Sequence, residues 1–423
     1  MGIKGTHAEP EFGVGTPIGP AFHFPMTATS ISTPSASRTE IVRLLSAILA
    51  TRFVINTAFR IGYAFAPELS RGLGVDLEAW STLVGVRSGM GVFAPVFGAL
   101  SDRVGRRTVM LGGSALFVGC ALLAYLSASP LPFALGFVGI GLTKVIFEPS
   151  ASAFLGDRVP YERRGFVMGM SELGWASAAL IGGPVTALAI KAWGWQSPFA
   201  LLVLGGLFAL VWTALALPRT RAPRPGLGRH TDGNFAAIAR VRSAWLMLAI
   251  VFAFLFASDM IAISFASFLE RAFNVDVLTL GGIVATFALA DLCGELLSMW
   301  GVDRFGKKRA LLVGFAGTVV AYFAMPLLGA SLAVAVAALF VYFVCFEFTI
   351  VSVFPLISEL VPQARATLLS LVMLAASVGR MLGAFSGALI FSLAGFGTIG
   401  IFSGSIVMLA LVVFALGVRE ARV

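Results

Sequence analysis

The stretch Gly98-Ala-Leu-Ser-Asp-Arg-Val-Gly-Arg-Arg107 lies between two long apolar runs and contains one acid, three arginines and a turn glycine. A charge at the centre of a membrane helix costs about 2.5–3.5 kcal/mol, so membrane helices end where such charges begin. Gly105 permits the tight reversal that a short loop between antiparallel helices needs. The stretch therefore predicts a basic loop that joins two membrane helices.

The same pattern occurs a second time, in Gly301-Val-Asp-Arg-Phe-Gly-Lys-Lys-Arg309. Asp303 follows Asp102 by 201 positions. A second loop also repeats, because Asp157-Arg-Val-Pro-Tyr-Glu-Arg163 corresponds to Glu359-Leu-Val-Pro-Gln-Ala-Arg365, 202 positions later. Two loops that repeat at one spacing indicate a duplicated chain.

The first of these stretches resembles the loop signature of the major facilitator superfamily, G-x-L-x-D-R-x-G-R-R/K, and 303–308 resembles its weaker second copy. The resemblance covers residues 40–418 and implies an all-α membrane protein with twelve transmembrane helices in two pseudo-symmetric six-helix bundles. It also implies a central cavity and alternating access. Asp102 is expected to cap the start of a neighbouring helix and to pair with a loop arginine. The candidate gating residues are Gly98, Asp102, Arg103, Gly105, Arg106, Arg107, Asp157, Arg163, Asp303, Arg304, Gly306, Glu359, Arg365 and Arg380.

The composition independently indicates a membrane protein, since 58% of the residues are hydrophobic and only 12% are charged, about half of the usual charged share. Apolar runs of about 20 residues are long enough to span a bilayer. The predicted spans are 41–66, 79–100, 109–127, 131–154, 166–190, 197–217, 244–268, 278–300, 310–327, 331–357, 367–392 and 397–417.

These spans divide the chain into five parts. We predict a disordered cytoplasmic tail at 1–40, an N-terminal six-helix bundle at 41–217 and a basic cytoplasmic linker at 218–243. A C-terminal six-helix bundle at 244–418 and a cytoplasmic C-terminus at 419–423 follow. Within the linker, 235–241 is a candidate short surface helix.

The basic residues lie mostly on one side of this topology. With the N-terminus inside, the outer loops contain only Arg71, Lys191 and Arg271. This asymmetry predicts a multi-pass protein of the plasma membrane (the bacterial inner membrane) with both termini in the cytoplasm. It also accounts for the net charge of +9 without a nucleic-acid partner.

Several kinds of chemistry have no support in the sequence. Cys120, Cys293 and Cys345 lie inside apolar spans without pairing or metal-ligand spacing, and the three histidines lie in the tail and the linker. We therefore expect no metal, no cofactor and no intramembrane histidine relay. The chain also lacks a phosphate-binding Gly-Lys-Ser/Thr sequence and a nucleophile–base set, so neither ATP-driven transport nor an enzyme is expected.

Ionisable residues inside predicted spans are costly and are therefore functional candidates. They are Arg52, Arg60, Arg87, Lys144, Glu148, Glu172, Asp259, Asp291, Glu295, Glu347 and Arg380. In the family, helices 1, 4, 7 and 10 line the cavity, helices 2, 5, 8 and 11 flank it, and helices 3, 6, 9 and 12 face lipid. The charges follow that partition, because predicted spans 3, 6, 9 and 12 contain none.

The first span has a polar stripe, in which Arg52, Asn56, Arg60 and Tyr63 share one helix face. The two guanidinium groups are candidates for binding a carboxylate or phosphate of the substrate. The alternative is that one of them simply neutralises a nearby acid. The predicted substrate-binding residues are Arg52, Asn56, Arg60, Tyr63, Lys144, Asp259 and Glu347. They suggest an anionic or zwitterionic small molecule.

The acids suggest where protons act. Lys144 and Glu148 are one helical turn apart and are expected to form a structural pair. Asp291 and Glu295 are also one turn apart but have the same sign, so both ionise only at a cost unless Arg380 or another base is close. The proton-coupling candidates are Asp259, ranked first, then Glu347, then Asp291 and Glu295, and also Glu148.

The fifth span contains Gly183 and Pro184 and is expected to kink there. A Gly-Pro kink in this helix resembles that of the family's antiporters and favours export. We therefore expect a monomeric secondary transporter in the bilayer that exports a small organic solute by proton-coupled alternating access. The alternatives are a uniporter or proton symporter that imports an organic anion, and a sensor or scaffold that does not transport.

Overall fold

Long helices follow one another through almost all of the described chain. The computed structural model describes residues 1–2, 38–127, 129–159, 161–218, 237–361 and 364–418. Most of the predicted tail, linker and C-terminus lies outside these residues, as do the side chains of Arg163 and Glu172. Residues Ala36–Val423 form one compact unit, and the predicted division into two bundles stays a prediction.

The first half contains nine helices of two or more turns within the described residues. They are α1 (Arg38–Ala64), α2 (Ala66–Leu73), α3 (Leu77–Gly89), α4 (Ala94–Val104), α5 (Arg106–Leu126), α6 (Pro130–Arg158), α7 (Tyr161–Leu180), α8 (Gly182–Trp193) and α9 (Ser197–Ala216). A 3₁₀ turn at Met90–Phe93 joins α3 to α4.

The second half has longer helices. They are α10 (Arg242–Phe273), α11 (Val277–Phe305), α12 (Lys307–Ala324), α13 (Leu332–Leu360) and α14 (Arg365–Gly417). A 3₁₀ turn at Met325–Ala330 follows α12. Of the predicted surface helix at 235–241, residues 237–239 are helical and 240–241 are not. The side chain of Ile238 is buried. Positions 235–236 lie outside the described residues.

Eleven helical segments among the described residues are long and apolar enough to cross a membrane. The last of them, Thr367–Gly417, has 51 residues, more than twice the length that a bilayer requires. Gly395 interrupts it with φ 78° and ψ 174°, so this segment contains two spans. The prediction of an all-helical membrane fold with twelve spans is confirmed.

The backbone repeats the internal duplication in detail. Within the described interior of the chain, positive φ angles occur in three pairs separated by 200 or 201 positions, namely Gly74 and Asn274, Gly105 and Gly306, and Gly194 and Gly395. Gly105 and Gly306 have φ 102° and 83°, a conformation that residues with a Cβ rarely adopt. These turn residues end corresponding helices in each half.

The helix starts are duplicated too. Asp76 precedes α3 and accepts a hydrogen bond from the backbone N–H of Ala79 at 2.6 Å, and Asp276 precedes α11 and accepts one from Thr279 at 3.0 Å. Such N-caps satisfy a backbone donor that has no partner within the helix.

The fifth span is broken at the position of the predicted kink. The helix α7 ends at Leu180 and α8 begins at Gly182. Pro184 has no N–H to donate to the carbonyl one turn earlier, so the helical ladder is interrupted there. Gly183 lies close to Val284 of α11, because a Cβ at this position would approach the Val284 side chain to 3.0 Å.

The helices α1 and α10 contain the most deeply buried membrane segments. Between the two halves, α3 packs against α14, α8 packs against α11, and α1 contacts α10. The polar faces of α1 and α10 therefore meet at the centre of the molecule, where they position the candidate site.

Candidate transport site

A central cavity of about 100 Å³ lies between the two halves. Its walls combine eight aromatic side chains with three acids and two arginines. The lining residues are Phe59, Arg60, Tyr63, Ala64, Trp175, Ser258, Asp259, Ala262, Phe265, Val284, Phe287, Asp291, Tyr342, Phe343, Phe346, Glu347 and Arg380. Of the predicted substrate-binding residues, four line this cavity, namely Arg60, Tyr63, Asp259 and Glu347.

The first charged contact across the cavity joins α1 to α11. The guanidinium of Arg60 donates to the carboxylate of Asp291 at 2.6 Å, and the Asp291 side chain is only 5% exposed. The same guanidinium stacks on Trp175, at 4.0 Å from the ring centroid. Arg60 is therefore the base close to Asp291, whereas the sequence named Arg380 first.

The second contact joins α1 to α10 and α14. The Tyr63 hydroxyl donates to one oxygen of Asp259 at 2.7 Å, and Arg380 donates to the other at 3.2 Å. Tyr63 also contacts the Ser88 hydroxyl at 2.9 Å. Both oxygens of Asp259 thus have partners, one of which comes from the opposite half.

Glu347 differs from these two acids. Its side chain lines the same cavity from α13 and is buried, with 8% relative exposure. Among the described residues it has neither a hydrogen bond nor an ion pair. Glu295, one turn after Asp291, is half-buried and does not line this cavity.

The remaining residues of the α1 stripe lie away from the cavity. Arg52 forms an ion pair with Glu148 at 2.6 Å and donates to the Ser171 hydroxyl at 2.8 Å. Lys144 donates to the side-chain oxygen of Asn56 at 2.7 Å. The predicted pair of Lys144 with Glu148 is wrong, because Arg52 reaches this carboxylate from the neighbouring helix.

Aromatic side chains separate the cations of the first half. Trp175 lies between Arg60 and Lys144, whose ammonium is 4.5 Å from the ring centroid. Phe59 similarly contacts Lys144 and the buried Arg87, which also donates to the Phe59 carbonyl at 2.8 Å. Such cation–π contacts stabilise cations away from water. The sequence did not single out Trp175 or Phe59, because an isolated aromatic residue is ordinary in a membrane helix.

The duplicated loops make corresponding contacts at one end of the molecule, which we call the motif end (the end containing Gly105 and Gly306). Arg106 pairs with Asp157, and Lys307 pairs with Glu359. Arg107 donates to the carbonyl of Leu217, and Lys308 donates to that of Val418 at 2.7 Å. These bases thus bind carbonyls at the ends of α9 and α14, where the helix dipole favours positive charge.

Asp102 does not have the role expected of it in this conformation. Its side chain is 71% exposed and lies 3.6 Å from Arg106 within the same loop. The loop-arginine contact is thus present, but the expected cap on a neighbouring helix is not among the described contacts. The other predicted gating residues of these loops, Arg103, Asp303, Arg304 and Arg365, are exposed, and Gly98 is half-exposed.

The opposite end, which we call the arginine-poor end, is closed by contacts between the halves. Arg71 pairs with Glu270 at 2.5 Å, and also with Glu68 of its own helix at 3.0 Å. Ser392 donates to Glu78 at 2.6 Å. Repeated membrane-length helices around a charged cavity that is closed at one end define a transporter of small solutes.

Comparisons with known proteins give the family. The model of the Major Facilitator Superfamily matches residues 45–258 and 247–422, and the chain belongs to this family. Its members and fold are those of transporters rather than enzymes, and the protein is an integral membrane transporter of a small solute.

Two relatives and one solved structure illustrate the similarity. The uncharacterized MFS-type transporter YceJ of Bacillus subtilis (strain 168) is 26% identical over 377 residues, which cover 86% of this chain and 93% of that protein. The multi-drug resistance efflux pump PmrA homolog of Lactococcus lactis subsp. lactis (strain IL1403) is 24% identical over 293 residues, which cover 64% of this chain and 69% of that protein. The crystal structure of the D-xylose-proton symporter has a TM-score of 0.75 at 15% identity, covering 91% of this chain and 99% of that one.

Proposed function

We propose that this protein exports a small amphipathic organic solute in exchange for protons and that Glu347 is the main site of competition between the two. The observation that carries the proposal is the buried Glu347 carboxylate, which has no partner among the described residues. An isolated buried charge is costly. The ionised group therefore favours whatever supplies positive charge, either a proton or a cationic part of the solute.

The neighbouring acids support a coupling role that differs from that of Glu347. Asp291 binds Arg60, and Asp259 binds Tyr63, so both acids join the second half to the first. A proton on either carboxylate weakens its attraction for the opposite half. Protonation thus favours separation of the halves, whereas the ionised acids favour the contacts seen here. We therefore rank Glu347 before Asp259 as the exchange site and retain Asp259 and Asp291 as coupling residues.

The cavity walls indicate the class of solute. Eight aromatic side chains provide apolar, polarisable surface, and three acids outnumber two arginines. This combination favours an aromatic or amphipathic molecule with a positive or zwitterionic group over a simple anion. The relative from Lactococcus lactis, a multi-drug resistance efflux pump homolog, agrees with export of such compounds.

The orientation in the membrane follows from the positive-inside rule. The motif end has most of the basic side chains, so we place it and both termini in the cytoplasm, in the plasma membrane of a bacterium. Because the arginine-poor end is closed by Arg71 and Glu270, the conformation corresponds to an inward-facing state. The transporter is proposed to act as a monomer.

The second candidate function is import of an organic anion by uniport or proton symport. The observation that favours it is the presence of two guanidinium groups, those of Arg60 and Arg380, on the cavity wall. Arg52, the other candidate for anion binding, is neutralised by Glu148 outside this cavity. The anion hypothesis therefore depends on Arg60 and Arg380 alone.

The test is flux in proteoliposomes with an imposed pH gradient, using ethidium as an aromatic cation and benzoate as an aromatic anion. We expect gradient-driven ethidium movement that a protonophore abolishes. The substitution E347Q should remove the dependence on the gradient, because the amide neither binds nor releases a proton. The surface variant E68Q is the matched control and should behave as the wild type. Benzoate movement that requires Arg60 and Arg380, with no ethidium movement, would establish the second candidate instead.

A further inference from the structure

A second cavity of about 690 Å³ lies outside the central site, on an exposed apolar surface of the second half. It is formed by α11, α12 and α13 near the motif end, and we call it the lateral groove. Its thirteen lining residues include Trp300, Arg309, Gly314, Gly317, Cys345 and Phe348. All are apolar or small except Arg309 and Cys345.

The depth of the lateral groove comes from glycine. A Cβ at Gly314 would approach the Phe348 ring to 2.9 Å, and a Cβ at Gly317 would approach the Cys345 sulfur to 3.0 Å. These glycines let α12 lie close to α13 while leaving no side chain of their own in the space above. The rim is apolar and exposed, with Trp300 at 56% and Val313 at 65%.

The mouth of the lateral groove is basic. Arg309 lines it and is exposed, and it has no ion-pair partner among the described side chains. Arg304 lies beside the mouth with its guanidinium 5.6 Å from the Trp300 ring centroid. The nearby acid Asp303 is exposed, whereas Glu359 is already paired with Lys307.

The first half provides an internal comparison. With the 201-residue spacing, Trp300 corresponds to Ala99, Arg309 to Thr108 and Gly317 to Leu116. The equivalent surface therefore lacks the tryptophan of the rim, the arginine that lines the mouth and one of the floor glycines, although Arg103 corresponds to Arg304. Since the two halves otherwise share turns, caps and loop pairs, the lateral groove is a departure from the duplication and requires its own explanation.

We propose that the lateral groove binds a phospholipid with an anionic headgroup. The acyl chain lies on the glycine floor against Phe348, and the phosphate contacts Arg309 at the mouth, with Trp300 at the level of the headgroup. Apolar depth, an interfacial tryptophan and an unpaired arginine at the membrane boundary are complementary to such a lipid. The proposal is independent of what the central cavity transports.

Cys345 lies inside the lateral groove and reports on its occupancy. The test uses a C120A/C293A background, a membrane-soluble maleimide, and vesicles of phosphatidylcholine with or without phosphatidylglycerol. We expect phosphatidylglycerol to slow labelling of Cys345 by about fivefold, the effect of one basic contact to an anionic lipid. The variant R309T, which introduces the residue found at Thr108, should remove this difference. The control R365T changes an exposed arginine at the same end and should keep it.

Two outcomes would overturn the proposal. Equal labelling in both kinds of vesicle would show that the headgroup is not recognised. Labelling that falls with rising protein-to-lipid ratio, whatever the lipid, would show that a second copy of the chain covers the groove. Size-exclusion chromatography of each variant tests folding, and the comparison of the two vesicles with the C120A/C293A protein remains decisive if R309T does not fold.

Discussion

Arg52 and Lys144 both bring positive charge into the first half, but they are compensated differently. Arg52 has a carboxylate partner in Glu148 and further hydrogen bonds to serines, and its side chain is 4% exposed. Among the described side chains, the direct contacts of Lys144 are with neutral groups, an amide oxygen and two aromatic rings. A buried ion pair is costly to break because the remaining charge stays uncompensated. The two cations should therefore respond differently to loss of Glu148.

This difference is testable with two double-mutant cycles on thermal stability in detergent. We expect R52Q and E148Q to be coupled by about 1–3 kcal/mol, because the second substitution removes a charge that the first leaves unpaired. The matched cycle of K144Q with E148Q should give a clearly smaller coupling. Equal coupling in the two cycles would contradict the pairing described here.

At the scale of single elements, the ends of the helices depend on a few backbone conformations. The turn between α11 and α12 consists of Gly306 alone, with φ 83° and ψ 156°. This region of backbone space is essentially restricted to glycine, since a Cβ there collides with the chain. This tight turn also allows Lys307 and Lys308 to reach their partners on neighbouring helices.

Replacing this glycine should therefore weaken the second half. We expect G306A to lower the free energy of unfolding by about 1–3 kcal/mol, measured by thermal denaturation in detergent. The control is G282A in the same pair of helices, where a Cβ would meet open space. That variant should be neutral or stabilising by up to about 1 kcal/mol, since alanine is the better helix former. If both variants had the same stability, the strain assigned to position 306 would be absent.

At the scale of the whole molecule, contacts between the halves decide which end is closed. Arg71 and Glu270 lie at the arginine-poor end, and Arg60 with Asp291 lies at the cavity. Glu68 binds the same Arg71 but belongs to the same half. If the halves separate at this end, we expect the contact with Glu68 to persist and the contact with Glu270 to be lost. Of these two contacts of Arg71, only the one with Glu270 should therefore bias the conformational equilibrium.

The variant E270Q should therefore shift the population toward the state that is open at the arginine-poor end. The pair is partly exposed, so we expect a shift of about 1.4- to fivefold, equivalent to about 0.2–1 kcal/mol for such ion pairs. Spin labels at positions 193 and 393, introduced as W193C and L393C after replacement of the native cysteines, measure the distance between the halves. The control E68Q should leave the distance distribution unchanged, and the same shift in both variants would argue against the role of Glu270.

Much of the architecture was determined by the sequence alone. The repeated charged loops at Asp102 and Asp303 and the run of apolar spans predicted a twelve-span helical transporter of the family to which the chain belongs. These features are local or periodic. Charges end membrane helices, glycine permits tight turns, and a duplicated chain repeats both at a fixed spacing, so no knowledge of distant contacts was needed.

The partners of the buried charges were decided only by the tertiary structure. Spacing along a helix suggested that Lys144 binds Glu148, but the packing of α1 against α6 brought Arg52 to that carboxylate instead. In the same way, Arg60 reaches Asp291 across 231 positions, and Glu347 is left without a partner among the described residues. The interaction of two charges depends on their distance and surroundings, and a sequence gives neither for residues on different helices. The meeting of helices from both halves thus decides which buried acids are paired, and among the described residues it leaves Glu347 unpaired.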